Sequence, residues 1–307
     1  MCGIVGLFLK DAALQPKLGD MLADMLITMT DRGPDSAGIA IYGQETKGSA
    51  KLTVQSNKPK SDFDALDNAL SKRINGTVSM AVKDTHAVLS LPSDQVAIAR
   101  ETLTDIRPDL RVMSHGSTLE IYKEVGLPKD VAHRFDIRRM SGTHGIGHTR
   151  MATESAVTTM GAHPFNTGID QCLVHNGSLS NHNSLRRKLR RLGVHIETDN
   201  DTEVGAAYLT WKMQTGATLG EALTSSLDDL DGFFTFVVGT KDGFGVVRDP
   251  IACKPAVMAE TDQYVAFGSE YRALVNLPGI DNAKVWEPEP ATVYFWSHDN
   301  SPTAKAA

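Results

Sequence analysis

The sequence predicts an α+β domain in which two stacked sheets are covered by helices. Three features point that way. An apolar strand followed at once by an amphipathic helix opens the chain, glycine-rich strand ends give way to two helices in its middle, and its last third is all strands and short turns. The order of strands and helices is too irregular for a barrel of eight βα units.

Residues 4–9 of the opening MCGIVGLF read as a buried strand. Residues 16–30 carry Leu18, Met21, Leu22, Met25, Leu26 and Met29 at three- and four-residue spacing, the signature of an amphipathic helix. In DRGPDS (31–36) Pro34 stops that helix, and AGIAIYG returns as a second strand. Residues 48–140 alternate strand-like runs at 51–55, 79–81 and 86–91 with helical patterns at 61–74, 117–125 and 129–140. Breaks at Lys58-Pro59 and Leu127-Pro128 bound them as an inserted subdomain at about 48–140.

From Gly142 onward, GTHGIGHTRMAT, AHPF and LVHNGSLSNHNSL read as strand ends running into loops, where sites are usually built. A helix over 185–192 closes at Gly193. Another follows in NDTEVGAAYLTWKM, with Asn200 as N-cap and Glu203 in the capping-box position. From Phe233 the chain reads as strands joined by turns such as Lys241-Asp242-Gly243.

The 307 residues carry a net charge of −6, which opposes nucleic acid as a partner because phosphate binding needs a basic surface. No stretch approaches the roughly 20 apolar residues that span a bilayer, and the apolar run at 3–9 is too short for a secretory signal. Cys2, Cys172 and Cys253 are odd in number with no CxxC spacing, which fits a reducing cytoplasm and holds neither a zinc site nor an iron–sulfur cluster. His144 and His148 share a strand face, but no acidic or thiol ligand joins them, so no metal is expected. LRRKLRRLG (185–193) reads as a solvated amphipathic helix; the sharper reading is docking on an acidic partner through Arg186, Arg187 and Arg190.

Cys2 is the residue whose placement chemistry could explain. Removal of Met1 would put a thiol and a free α-amine on one carbon, a nucleophile beside its own base, with pKa values of about 8.5 and 7.7–8.0. On position alone, a packed small residue is the favoured reading of Cys2.

Met1-Cys2-Gly3-Ile4, DRGPDS, GHTRMAT, HPF, HNG and NDTE, in that order, resemble the class II glutamine amidotransferases, the N-terminal-cysteine branch of the N-terminal-nucleophile hydrolases. The resemblance spans nearly the whole chain as one domain of residues 1–307 and implies a four-layer αββα sandwich. It implies that Cys2 attacks the side-chain amide of L-glutamine, forms a γ-glutamyl thioester and releases ammonia. Asn176 and Gly177 would stabilise the oxyanion, Arg150 would fork onto the substrate carboxylate, Thr153 would add a hydroxyl, and Asp201 would hold the ammonium. Arg32 would belong to a loop folded over the site. Met151 stands where the family often has an aromatic residue.

Within the family the chain looks most like the stand-alone amidotransferase subunit of glutamate synthase and N-methylglutamate synthase complexes. That likeness implies a hetero-oligomer with ammonia-accepting synthase subunits. It implies no cofactor in this chain, with flavin and iron–sulfur clusters in the partners. Two other readings stay open: a catalytically silent regulatory subunit that binds an amino acid, and a hydrolase for another amide.

Overall fold

The computed structural model describes residues 2–152 and 156–298, and the backbone of 304–306. The first sheet takes its strands from both ends of the chain: β1 Gly3–Leu9, β2 Ser36–Tyr42, β7 Leu119–Val125 and β8 His144–Arg150 from the first half, β13 Val257–Glu260, β14 Tyr264–Gly268 and β15 Lys284–Trp286 from the second. Its order is β15-β13-β14-β1-β8-β2-β7. The second sheet, β17-β16-β12-β11-β10-β9, comprises β9 Phe165–Gly168, β10 Gln171–Leu179, β11 Gly232–Gly239, β12 Gly243–Arg248, β16 Val293–Ser297 and β17 Ala304–Ala306. A third, smaller sheet, β4-β5-β3-β6, is formed by β3 Ser49–Gln55, β4 Ser79–Lys83, β5 His86–Pro92 and β6 Arg111–Gly116.

Side chains alternate across each strand with period two, and that alternation builds the layers. Val5, Leu7, Leu9, Ile39 and Ile41 face outward, onto α1 (Leu18–Thr28). Ile4, Phe8, Ala40 and Tyr42 face inward and meet Val174, Val237, Phe244 and Val246 of the second sheet. The outer face of the second sheet, with Leu173, Leu179, Phe236 and Val238, is covered by Leu185, Leu189, Val204, Leu209, Ala222 and Leu223. These come from α6 (His182–Arg191), α7 (Asp201–Gln214) and α8 (Leu219–Asp229). Helix, sheet, sheet, helix is therefore the order of layers, the αββα architecture. The third sheet has a separate core, where Leu52, Val54, Ala87 and Leu89 pack with Phe63, which follows α2 (Pro59–Asp62), and with α3 (Leu66–Ser71) and α4 (Val96–Ile106).

Several elements depart from the sequence expectation. Residues 117–125, expected as a helix, form strand β7, because Leu119 and Ile121 alternate into the core between the sheets while Tyr122 packs on the outer face. The expected helix at 61–74 is two short helices, α2 and α3, separated by Ala65 in a left-handed conformation. The expected helix at 129–140 ends early, as α5 (Pro128–Arg134) and a 3-10 turn, with Asp136 left-handed between them. Helix α4 and strand β6 had no counterpart in the sequence expectation. Asn200 does cap α7, accepting from the Thr202 N–H, but Glu203 closes no capping box. Its carboxylate instead accepts the N–H groups of Glu197 and Thr198.

Asp170, in the turn between β9 and β10, clasps the third sheet to the second. Its carboxylate accepts the N–H groups of Ser117, Thr118 and Leu119 at 2.7, 2.9 and 2.9 Å and the hydroxyls of Ser117 and Thr118. Burial alone would raise its pKa, but five donors outweigh that and hold it below the usual carboxylate value. Asp170→Ala should cost about 3 kcal/mol in urea unfolding, since it leaves buried N–H groups unpaired. Because the folded pKa is depressed, this contribution is complete above the unfolded value of about 3.9 and fades as pH falls below it.

Candidate active site

A residue at the very start of a chain has little to hold it, so its position must come from the strand behind it. Strand β1 is hydrogen-bonded on both sides, Gly3 opposite Thr149 of β8 and Val5 opposite Gly268 of β14. Just past β14, Ser269 closes the end of the strand: its hydroxyl accepts the Ile4 N–H and its own N–H donates to the Ile4 carbonyl. Cys2, half-buried, sits at the tip.

Two donors meet on the Cys2 carbonyl oxygen, Arg32 Nε at 3.0 Å and Asn176 Nδ2 at 3.2 Å. Arg32, expected in a loop folded over the site, lies buried in a 3-10 turn, and its Nη1 donates to Glu270 Oε1 at 2.7 Å. Glu270 is in turn held by Arg272 Nε at 2.6 Å, and the two guanidinium groups keep its carboxyl below the ordinary range.

Asn176 and Gly177 lie inside strand β10, not in a hairpin turn. Gly177 has φ +153, and a Cβ there would fall 1.9 Å from the Phe233 carbonyl oxygen, so only glycine allows this close pairing with β11. Arg150 ends β8 and is 6% exposed, with Nη1 on the Ala156 carbonyl at 3.3 Å. The Cys2 Sγ lies 4.0 Å from the carbonyl oxygen of the next residue, Met151. Asp35 of DRGPDS fixes this strand end by donating its N–H to the Arg150 carbonyl and accepting the Ala152 N–H on its carboxylate. Met1 and Thr153 lie outside the described residues.

Asp201 opens α7, where Oδ2 accepts the Leu179 N–H at 2.9 Å and Oδ1 lies 3.8 Å from His175 Nδ1. Behind it runs a buried chain of imidazoles. Thr202 Oγ1 bridges His163 Nε2 and His175 Nδ1 at 2.7 and 3.1 Å, His148 Nε2 pairs with the His175 carbonyl, and the rings of His148 and His163 stack at 4.0 Å.

The structure thus brings Cys2, Arg32, Asn176, Gly177, Arg150 and Asp201 to one edge of the two stacked sheets. Ser269, Glu270 and Asp35, which support them, were not singled out in the sequence. Asp35 stood in a motif already noted, whereas nothing in a single sequence marks Ser269 or Glu270. Of the three arginines of the docking reading, Arg187 and Arg190 are exposed; Arg186 donates to the Asn183 side chain and Arg190 to the Ile196 carbonyl.

A cysteine leading the central strand of an αββα sandwich defines the class of N-terminal-nucleophile hydrolases. Residues 135–304 match the glutamine amidotransferase domain family. The chain is 69% identical to the glutamine amidotransferase-like protein GlxB of Rhizobium meliloti, covering 98% of this chain and all of that one. It is 35% identical to a candidate glutamine amidotransferase of Methanothermobacter thermautotrophicus, covering 95% of this chain and 98% of that one. The glutamine phosphoribosylpyrophosphate amidotransferase of B. subtilis, solved with ADP and GMP, shares the fold with a TM-score of 0.63 at 19% identity. That alignment covers 99% of this chain and 49% of the other, so the chain spans about half the length of that relative. The chain belongs to the class II glutamine amidotransferase family.

Burial keeps several histidines neutral: His86, His144 and His148 are pushed down to about 3 and His115 to about 4. Folded pKa values below the unfolded 6.5 give stability that is complete above pH 6.5 and lost as pH falls toward 3. Acid unfolding should therefore begin near pH 6, each of these histidines adding about 1 kcal/mol per pH unit to the slope, as urea midpoints measured between pH 7 and 4 would show.

Proposed function

We propose that the protein is the glutaminase subunit of a hetero-oligomeric synthase, with Cys2 as nucleophile once Met1 is removed. The observation that carries this is the convergence of Arg32 Nε and Asn176 Nδ2 on the Cys2 carbonyl, which fixes the first residue with its thiol beside the end of β8. The freed α-amine takes the thiol proton, and the sulfur adds to the side-chain carbonyl carbon of glutamine. One N–H of Asn176 is used on Cys2; the other, with the Gly177 N–H, is free to receive the oxyanion. The amine returns its proton to the leaving nitrogen, ammonia departs, and water hydrolyses the γ-glutamyl thioester to glutamate. Arg150 receives the substrate carboxylate and Asp201 its ammonium, as the family resemblance implies, and by the same resemblance Thr153 adds a hydroxyl.

The ammonia acceptor would be a separate synthase subunit of a glutamate synthase or N-methylglutamate synthase complex in the cytoplasm. Flavin and iron–sulfur chemistry would reside in the partners and no cofactor in this chain, since its three cysteines are scattered. Among the described residues no helix is long and apolar enough to cross a membrane.

Purified full-length protein should lack Met1 by intact mass and release glutamate from glutamine. Cys2→Ala should abolish turnover, by at least about a thousandfold, while leaving the unfolding midpoint within a degree or two. Retained turnover in that variant would sink the assignment; a retained Met1 with no turnover would point to a silent amino-acid-binding subunit.

A further inference from the structure

Lys123 is a buried charge that the proposed chemistry does not use. On β7 it falls in register with Leu119 and Ile121, facing the core between the sheets, and is 3% exposed. Its Nζ donates to three backbone carbonyls of one segment, Ala162 at 2.8 Å, Pro164 at 3.1 Å and Met160 at 3.5 Å, and lies 4.4 Å from the centre of the Phe165 ring. Three ammonium protons meet three acceptors, and the ring face adds a cation–π contact. On the neighbouring residue, Glu124 accepts from the Thr159 hydroxyl of the same segment.

That segment lies against one expected anchor of the substrate, Arg150, and against Thr202, the neighbour of the other, Asp201. A Cβ at Gly161 would lie 3.2 Å from Arg150 Nη1, so the guanidinium rests on the segment's backbone. On the other side His163 stacks on His148 and pairs with Thr202, the residue after Asp201.

We infer that Lys123 is a positioning residue for glutamine binding, its ammonium fixing residues 160–164 between Arg150 and the Asp201 end of α7. The inference rests on the glutaminase reading above. Lys123 touches no substrate atom and no reacting atom, so its loss should displace the anchors without disabling the nucleophile.

The titration of this amine supplies a readout that a merely structural lysine would not give. Burial lowers its pKa from 10.5 to about 8; Glu203 and Glu197 oppose the shift, Arg150 adds to it, and His163 and His86 feel the same charge. Above that pH the neutral amine has two N–H groups for three carbonyls, and the segment loosens. The folding linkage runs the opposite way. With a folded pKa below the unfolded one, this group stabilises the fold increasingly as pH rises from about 8 to 10.5. Glutamine affinity and the lysine's contribution to stability therefore change in opposite directions across that window.

The test is steady-state glutaminase kinetics of the full-length protein and of Lys123→Met between pH 6.5 and 9. KM for glutamine should rise about tenfold in the variant at pH 7 with kcat within about twofold. The variant-to-wild-type ratio of KM should fall toward one as pH passes about 8. Titration of the substrate and of groups shared by both proteins cancels in the ratio. If Lys123→Met does not fold, Lys123→Gln carries the same test, since it keeps two N–H donors and removes the charge. An unchanged KM, a KM ratio that does not vary with pH, or a fall in kcat at constant KM overturns the inference. Wild-type protein with no turnover would instead overturn the glutaminase reading.

Discussion

The fold depends on how a chain end is held still. Terminal residues fray unless something ties them down, and here the tie is a strand with neighbours on both sides and a carbonyl with two side-chain donors. Strand β1 contributes its outward residues to one core and its inward ones to another, so displacing it would open two layers at once. The Cys2 carbonyl then receives Arg32 and Asn176, one from each stacked sheet's side of the site. Arg32 is fixed by Glu270, and Glu270 follows Ser269, which closes the end of β1. The order of the terminus is thus shared among residues distant in sequence, each of which has a second structural task.

This arrangement concentrates polar groups where water is excluded. Arg32 Nη2, Ser36 Oγ, His148 Nδ1, His163 Nδ1 and His175 Nε2 are buried near the site with no hydrogen-bond partner among the described residues. Each such atom costs roughly 1–3 kcal/mol relative to a satisfied one. The clusters under the helices are built of aliphatic and aromatic side chains, yet Tyr264 Oη and Arg186 Nε are also buried there with no partner among the described residues. Neutral imidazoles are the form such an environment admits, since each protonation there would bury a charge.

Legibility in the sequence differed from element to element. The opening strand and the first helix were readable because β1 is an unbroken apolar run, buried along its whole length, and apolar residues recur at helical spacing through α1. The site motifs were readable because HNG, GHTRMAT and NDTE place reactive residue types at strand ends and a helix start. Residues 117–125 were misread because a run buried on both faces, with Lys123 among its apolar residues, lacks the alternation that marks a half-exposed strand. Glu203 looked like a capping residue because local spacing allowed it, yet the loop before α7 offered it backbone donors that the cap could not match. Ser269 and Glu270 lie more than 260 and 230 residues from the atoms they hold, Ile4 N and the Arg32 guanidinium, a relation that only the folded chain discloses.

The third sheet shows how a long excursion can be accommodated without dividing the domain. Its helices and strands bury a core of their own, while Val88 of β5 and Met113 of β6 join the cores of the stacked sheets. Polar attachments add to these: the Asp170 carboxylate collects three backbone N–H groups at the turn between β6 and β7, and His115 pairs with Asn166 on β9. The excursion then returns through β7, which is both the edge of the first sheet and the strand bearing Lys123 and Glu124. The edge strand that returns the chain from the excursion is the same one whose Lys123 holds the carbonyls of residues 160, 162 and 164 beside Arg150.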